Sequence, residues 1–599
     1  AHRPRNRPAH PAGSTLRWLA MMTADALTSW PGVEIDGSPL SDDLRIGLTG
    51  VVVDNDIHLP DMFTMIFDDP QHDLLTEAGV RVGSAVTIKA SSVGSTDSDV
   101  LIGGEVTALE ASYENGWDRT IVRGYDKSHR LHRGRRTETY QNVKVSDVAQ
   151  TVATRAGLDV GTIDDTGSVL PFISQVNITD WEFLQARARE LGFEVGVVAG
   201  QFNFRRPVES STGPEPGDSD SHGAEQLVYG RDLVSFRPRI SSSAQVTQIS
   251  VRAWDPDSKT VLVGSADPVA SHADLTDDPA SLAQNFGSPE YVVHNRPLPS
   301  QSDVDDTAKA VAEHVGSSFA EAEGVAVGNT KLLAGTAVSI AQVADTFQGK
   351  YTLSRTRHVF DDDGYRTEFE ISGLHDRSTL GLMSLGATNG RAAGGAPPVP
   401  GVFIGQVTNN DDPQQLGRLK LKFPWLSDSY ESDWARVAVV GAGPNSGVVF
   451  LPEVDDEVLC ACEFGDLRRV FVLSPLHNGK DKPSLGDGLV DAGKVKRRGM
   501  VSRKGHRVVF LDDDSKSGIA LISSDGNLKV SLNETNSEIT IHCKGKVTLE
   551  TDSDDISIKS GADVTIQAQG NVNVSGSGGV KVDGGGGVVE MTGSLIKLN

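Results

Sequence analysis

Three cysteines are all that this 599-residue chain holds, too few for a disulfide framework. Cys460 and Cys462 stand two apart on a strand-like stretch and read as buried thiols on one face. No run approaches the roughly 20 apolar residues that a helix needs to cross a bilayer. Positive charge is also short. The 56 Lys and Arg against 81 Asp and Glu leave a net charge of −25, which argues against a general binder of nucleic acid or anionic membrane. Proline stops at Pro483 and aromatic residues stop at Phe510. Over 484–599 the charges nearly cancel, 14 Lys and Arg against 15 Asp and Glu, so the excess acid lies in the body of the chain.

The length implies several domains, because single cores rarely exceed about 250 to 300 residues. Residues 1–20 are basic and proline-rich, and Arg17 interrupts their only apolar run, unlike a secretory signal. They read as a flexible arm, or as an extension upstream of a chain starting at Met21 or Met22. From about 40 to 125 short alternating stretches such as "VRVGSAVTIKA" predict a small antiparallel barrel. Two helices follow. Ser146 is the expected cap of the first and Gly157 its stop. Thr179 and Glu182 form a capping box for the second, Gly192 ends it, and Trp181, Leu184, Ala188 and Leu191 share one face. Residues 209–224 read as a polar loop that cannot pack. Further strands with one helix from about 303 to 323 predict a second barrel. "ATNGRAAGGAPPVPG", 387–401, has the composition of a linker. Residues 402–476 are again all strand, with Leu419, Leu421 and Phe423 alternating with Arg418, Lys420 and Lys422.

The last hundred residues repeat. Val530, Ile539, Val547, Ile556, Val564, Val572, Val580, Val589 and Ile596 follow one another at spacings of seven to nine, mostly eight. Each has an apolar residue two places on: Leu532, Ile541, Leu549, Ile558, Ile566, Val574, Val582, Met591 and Leu598. Such a pair is two inward side chains of one short strand. Gly545, Gly561, Gly570, Gly578 and Gly586 precede strands, where a sharp corner needs glycine's freedom. Burying one pair yields about 3 to 5 kcal/mol, while ordering eight residues costs roughly 8 to 16 kcal/mol. Neighbouring strands must supply the rest. A one-chain solenoid is one solution, but eight residues span one side of a triangle rather than a full coil. Three intertwined chains close the prism, so the reading is a trimeric β-helix. Its core would be Val547, Leu549, Ile556, Ile558, Val564, Ile566, Val572, Val574, Val580 and Val582. Open strand edges at Ile596, Lys597, Leu598 and Asn599 imply a capping protein.

Several other stretches invite a chemical reading and take a plainer one. "HRLHRGRR", with His129, His132, Arg133, Arg135 and Arg136, lacks a nearby acidic or cysteine partner for a metal and reads as a solvated loop or subunit contact. "FDDDG" at Asp361–Gly364 and "LDDDSKSG" at Asp512–Gly518 lack the distal glutamate of a calcium loop and read as tight turns. Trp425 and Trp434 could stack bases, but their acidic surroundings favour core or subunit packing. Gly584–Gly587 has neither the lysine nor the helix of a phosphate loop. No set of nucleophile, base and orienting group emerges, so no enzyme, cofactor or metal is expected.

The stretches "DPQQLGRLKLKFPW", "WARVAV", "FLPEVDDEVLCACEFGD" and "LHNGKDKP" resemble the oligomer-binding-type (OB) barrel of VgrG-like and phage baseplate spike proteins. Gly417, Arg418, Phe423–Trp425, Trp434, Arg436, Leu451–Val454, Asp456–Val458, Gly465 and Asp466 carry the pattern, and Asp455 stands where a turn glycine is usual. Residues 100–207 resemble the hub of the same spikes. The resemblance implies a mainly β, multidomain chain: an arm at 1–30, a hub of two β-barrels with helices at 31–385, a linker at 386–401, an OB-fold at 402–480, a connector at 481–505 and a trimeric β-helix needle at 506–599. It also implies a non-enzymatic homotrimeric spike that meets the inner tube and baseplate proteins at its hub. A PAAR-type protein would sharpen its tip, effector cargo is conceivable, and target-membrane contact would be transient. About 25 residues between barrel and needle leave no room for a muramidase, and no effector domain is expected after Asn599. The composition looks most like the spike of an extracellular contractile injection system, ahead of a phage tail or type VI spike. The spike would be made in the cytoplasm without a signal peptide and would sit in the assembled particle. A trimeric tail fibre that reads a receptor and an envelope-degrading tail enzyme are the competing readings.

Overall fold

The computed structural model describes residues 30–597 except 115–116, 199, 218–222, 296, 376–398, 400, 487 and 514. Almost all of the expected arm, most of the linker, and Leu598 and Asn599 thus lie outside the described residues. The chain divides into two units, 1–478 and 479–599. No helix among the described residues is long and apolar enough to cross a membrane.

The first unit is organised by one eleven-stranded sheet. Four strands of the second barrel, Leu233–Ile240, Ala320–Val327, Gly364–Ile371 and Arg355–Asp361, continue directly into Leu48–Asp56, Met62–Asp68, Trp117–Asp126 and Ser98–Glu114 of the first. The two barrels therefore share a sheet, joined where Val359 pairs with Val52. Strict alternation gives this sheet two unlike faces. One face buries Val51, Val53, Phe63, Met65, Phe67 and Val122 in one barrel and Phe369 and Ile371 in the other. The opposite face is a lattice of ions. Arg355 reaches Asp54 at 2.9 Å and Glu370 at 3.4 Å, Arg357 reaches Asp54 at 3.7 Å, and Arg366 reaches Glu368 at 3.2 Å. Each such half-exposed pair contributes little alone, but the lattice keeps the face wet and nearly neutral.

Glycines let the aromatic core side chains lie flat against the sheet. An added Cβ at Gly124 would meet the Phe63 ring at 2.3 Å, and one at Gly324 would meet the Phe369 ring at 2.1 Å.

Two α/β layers accompany the barrels, one between them in sequence and one inserted within the second. In the first, the capping box is present as read: Glu182 N–H donates to Thr179 Oγ1 at 3.1 Å and Thr179 N–H donates to Glu182 Oε2 at 2.8 Å. Gly192 closes this helix, Asp180–Leu191, at φ +68°. The preceding helix, Val145–Arg155, is capped two residues earlier than expected. Lys144 is its N-cap, with its N–H bound to Asp147, and Ser146 lies inside the first turn. In the second layer, strands Gln248–Asp255, Thr260–Ala266 and Glu290–Val293 cover helix Gln301–Gly316. This helix was expected to reach about 323 and stops at 316. Gly316 lies against the Val269 backbone, where an added Cβ would meet its carbonyl at 2.0 Å, and buried Phe319 starts the strand Ala320–Val327. The polar loop at 209–224 also packs more than expected. Ser210 is buried, the Glu215 carbonyl accepts from Gln226, and the Glu215 carboxylate holds Lys350 at 2.6 Å.

The OB barrel orders its strands as Lys420–Lys422, Val402–Asn409, Glu457–Cys462, Val470–Pro475 and Arg436–Val437, closed by a bridge between Leu419 and Ala435. Leu419, Leu421 and Phe423 are fully buried, as their alternation predicted. Asp455 occupies its turn at φ +76°, in the left-handed region that its position demands.

In the second unit, residues 497–543 depart from the needle expected from 506. They form an antiparallel meander of Arg497–Val501, Arg507–Asp513, Lys516–Ile522, Leu528–Asn533 and Glu538–Cys543. Val530 faces Ile541 and Leu532 faces Ile539 across one hairpin, so the first two apolar pairs of the repeat are hairpin partners. From 544 to 597 the chain is extended, with bends or turns at 552–554, 561–562, 569–570, 577–578 and 585–587, and no strand pairing among the described residues.

The glycine seats generate a test. Gly324→Ala should lose about 1 to 3 kcal/mol of stability to overpacking against Phe369 in urea denaturation, whereas Gly103→Ala, with open space around it, should change the midpoint little.

Candidate functional site

The octad segment presents its apolar residues to solvent with a regular beat. Val547, Val564, Val572 and Val580 are each 55% exposed and Ile556 is 53% exposed. Their partners two places on, Leu549, Ile558, Ile566, Val574 and Val582, are 67–73% exposed. Each octad thus repeats the same geometry and leaves the same pair uncovered. The intervening residues Thr548, Ser557, Thr565, Asn573 and Lys581 are polar. The meander has a similar face. Met500 pairs with Val508, Val508 with Leu521, Phe510 with Ile519, Leu521 with Val530, and Ile519 with Leu532, so these residues and Ile539 and Ile541 share one side of the sheet. Phe510, Ile519, Leu521, Val530, Leu532, Ile539 and Ile541 are all substantially exposed. An uncovered sheet face of this extent marks an interaction surface.

A second feature ties the OB barrel to the hub within the first unit. Phe172 and Val176, from strand Leu170–Ile178, enter the barrel's own core, with Phe172 edge-on to Tyr430 at 6.3 Å. Beside this apolar plug lies a buried ion network. Arg468 binds Asp466 through Nη2 at 2.7 Å and Nε at 3.0 Å, and reaches Glu190 of the capped helix at 3.5 Å. Glu190 in turn holds Arg187 at 2.8 Å. Burial alone would raise the Asp466 carboxyl, but the Arg468 charge and hydrogen bonds outweigh it and keep the group ionised below its ordinary range. Sequence reasoning missed this junction, because Phe172, Glu190 and Arg468 are far apart along the chain and carry no shared motif.

The remaining sequence candidates take structural roles. His129 and Arg130 both bind Glu105, which comes from strand Ser98–Glu114. His132 stacks on Trp181 at 4.9 Å, and burial pulls it down to about 4. Arg135 donates to the Asn177 carbonyl, and Arg136 lies near Glu138 and Asp180. The stretch is thus a packed joint, not a solvated loop. Asp361 is occupied by Arg366 and by the Asp363 N–H in a strand-joining turn, and Asp513 accepts from Ser515. Gly587 N–H donates to the Gly584 carbonyl in another turn. Trp425 donates its indole N–H to the Ile404 carbonyl at 2.8 Å, and Trp434 lies under Arg418 and Lys420. Burial pushes the Cys460 and Cys462 thiols up to about 12, which suits packing and disfavours reactivity. Among the described residues no group of three or more His, Cys, Asp or Glu is placed to hold a metal ion.

Residues 403–477 match the family model of the type VI secretion system/phage-baseplate injector OB domain. Residues 75–362, slightly under half of the chain, match the model described as the Alg8 N-terminal domain. No curated protein matches the sequence. Among solved structures, the half-lidded PdpA–VgrG complex of Francisella aligns with a TM-score of 0.51 at 11% identity, over 88% of this chain and 90% of that one. The E. coli c3393 protein, a type VI secretion component, aligns at 0.44 and 14% identity over 75% of this chain and 98% of that one. The prophage MuSo2 43 kDa tail protein of Shewanella oneidensis aligns at 0.43 and 15% identity, over 57% and 98%. The chain thus carries the injector OB domain and shares its fold with the VgrG complex.

Removing the Arg468 guanidinium takes from Asp466 its hydrogen-bonded partner and leaves Glu190 with Arg187 alone. Arg468→Ala should cost about 2 to 3 kcal/mol, below the range for a fully buried pair because a quarter of the side chain still meets solvent. Calorimetry of the variant should show a lowered hub and barrel transition.

Proposed function

We propose that three copies of this chain form the central spike of a contractile injection machine, with the shared-sheet hub facing the tail tube and baseplate and the octads forming the puncturing needle. The observation that carries this reading is the uncovered octad pair, repeated with nearly constant exposure from Val547 to Val582. One chain supplies a wall of a prism and neither of the other two. Two further chains, each turning at the same glycine corners, would bury the pairs on a common axis and give every strand edge a neighbour. The injector OB domain and the VgrG fold support the same role.

The sheet shared by the barrels fits the hub's task. Each chain presents two barrels side by side on one sheet, so a ring of three chains would offer six, a surface suited to a six-fold tube. The needle suits its own task by what it omits. Beyond Phe510 there is no aromatic residue, and outward positions are mostly small and polar, so the shaft would stay narrow and offer little to grip as it passes through an envelope. A PAAR-type tip protein would contact Ile596, Lys597, Leu598 and Asn599, and cargo would travel with the particle. The action is mechanical, and the chain is not an enzyme.

Light scattering on the full chain should give a mass near three times 63.7 kDa. Val572→Asp would bring three carboxylates together near one axis and should cost several kcal/mol per trimer, about 3 or more. A monomeric mass at all concentrations, or an unchanged melting temperature in the variant, would remove the needle from this reading.

A further inference from the structure

Three histidines distant in sequence meet where the second barrel ends. Strand Gly364–Ile371 runs out into Ser372–His375, and this short segment is held down by four contacts. Ser372 N–H donates to Ser354 Oγ at 2.8 Å, Leu374 N–H to Ser317 Oγ at 3.3 Å, and His375 N–H to the Ser372 carbonyl at 3.3 Å. His375 Nε2 lies 3.0 Å from the His314 carbonyl, at the end of helix Gln301–Gly316, and the two imidazoles lie 4.3 Å apart. Beneath them is His272, buried, with Nε2 at 2.9 Å from the Ala320 carbonyl and Nδ1 without a partner. Gly373, at φ +58°, closes the seat. An added Cβ there would meet Ser317 Cβ at 2.7 Å and the His272 ring at 3.1 Å.

We propose that His272, His314 and His375 form a proton-operated latch that holds residues 372–375 against the second barrel at neutral pH and releases them in mildly acidic surroundings. The closed seat disfavours a charged His272. His272 can donate one hydrogen to Ala320, and a second proton on Nδ1 would be a buried donor with no acceptor.

Among the described residues, the charged groups that act on His272 leave its neutral form favoured. Glu321 favours a charged His272, but it also lies 3.9 Å from Arg239. Glu313 accepts from Ser271, and burial and Glu209 raise its carboxyl against the pull of Arg206, which favours its neutral form. Burial, the largest influence, together with His375 pulls His272 down to about 4 against the opposing help of Ala320 and Glu321. A released His272 regains an ordinary value of about 6.5. Opening therefore becomes easier as pH falls from about 6.5 toward 4, and by linkage it should be about 30-fold more frequent at pH 5 than at pH 7.5. The inference does not depend on the spike reading, since it concerns one chain's own packing.

Hydrogen exchange of the full chain, corrected for the intrinsic pH dependence of amide chemistry, tests it directly. The amides of Ser372, Leu374 and His375 should exchange about 30-fold faster at pH 5 than at pH 7.5, while Leu48–Asp56 in the first barrel stays protected. His272→Gln should reduce that rise to less than about threefold, and His375→Gln should weaken it if the first variant fails to fold. Gly373→Ala should open the segment already at pH 7.5. The latch is overturned if the rise is absent, persists in the histidine variants, or is matched by the first barrel.

Discussion

A β-strand needs partners for two edges and for any apolar face it carries, and residues 544–597 find none among the described residues. This constraint governs the rest of the molecule. Water can satisfy the edges, but it cannot hold Val572 and Val574 in extended backbone against the entropy of eight ordered residues per pair. Only chains of identical period can cover a repeat of constant period along its whole length without a mismatch, and copies of the same chain have that property by construction. In the proposed trimer, closed rotational symmetry would remove the open edge that could otherwise recruit further chains.

The first unit meets the same requirement in the opposite way. Its eleven strands pair within one chain, and helices and a second small sheet cover its apolar face. What remains exposed is an ion lattice in which arginines and carboxylates alternate across strands, so that a strongly acidic chain still has a nearly neutral sheet surface there. The OB barrel is then fixed to the hub by two chemically different means. The Phe172 plug excludes water, and the Arg468 network sets the angle, since a guanidinium fork satisfies Asp466 in only one orientation. Such a joint resists sliding, because sliding would break directional bonds and not merely apolar contact.

Legibility in the sequence followed the range of the interaction. The capping box at Thr179 and Glu182, the buried Leu419, Leu421 and Phe423, and the turn at Asp455 depend on neighbours a few residues away, and their spacing announced them. The octads were legible for a related reason, since a single period carries the whole pattern. The helix end at Gly316 was not. "SSFAEAEGVAV" contains enough alanine and glutamate to extend a helix, and the backbone of Val269 decided otherwise. Glu105, which turns "HRLHR" from a loop into a joint, lies on another strand. The histidine seat draws on residues 272, 314 and 375 and on one glycine, and no local pattern connects them.

The meander at 497–543 and the octads that follow are two structures that share one period. Apolar residues at i and i+2 recurring about every nine positions describe both a hairpin and a prism side. The difference lies in the connection. In the hairpin, strand direction reverses, so Leu532 meets Ile539 and Val530 meets Ile541 in mirrored order, and the turn needs several polar residues, "NETNS" from 533 to 537, with Ser537 at φ +51°. In the octads the order of the pair never reverses, and Gly561, Gly570 and Gly578 lie within the successive bends or turns. The shift from a polar multi-residue turn to a glycine corner, between 537 and 561, is therefore where hydrogen bonding passes from strands of one chain to the strands that a partner would have to supply.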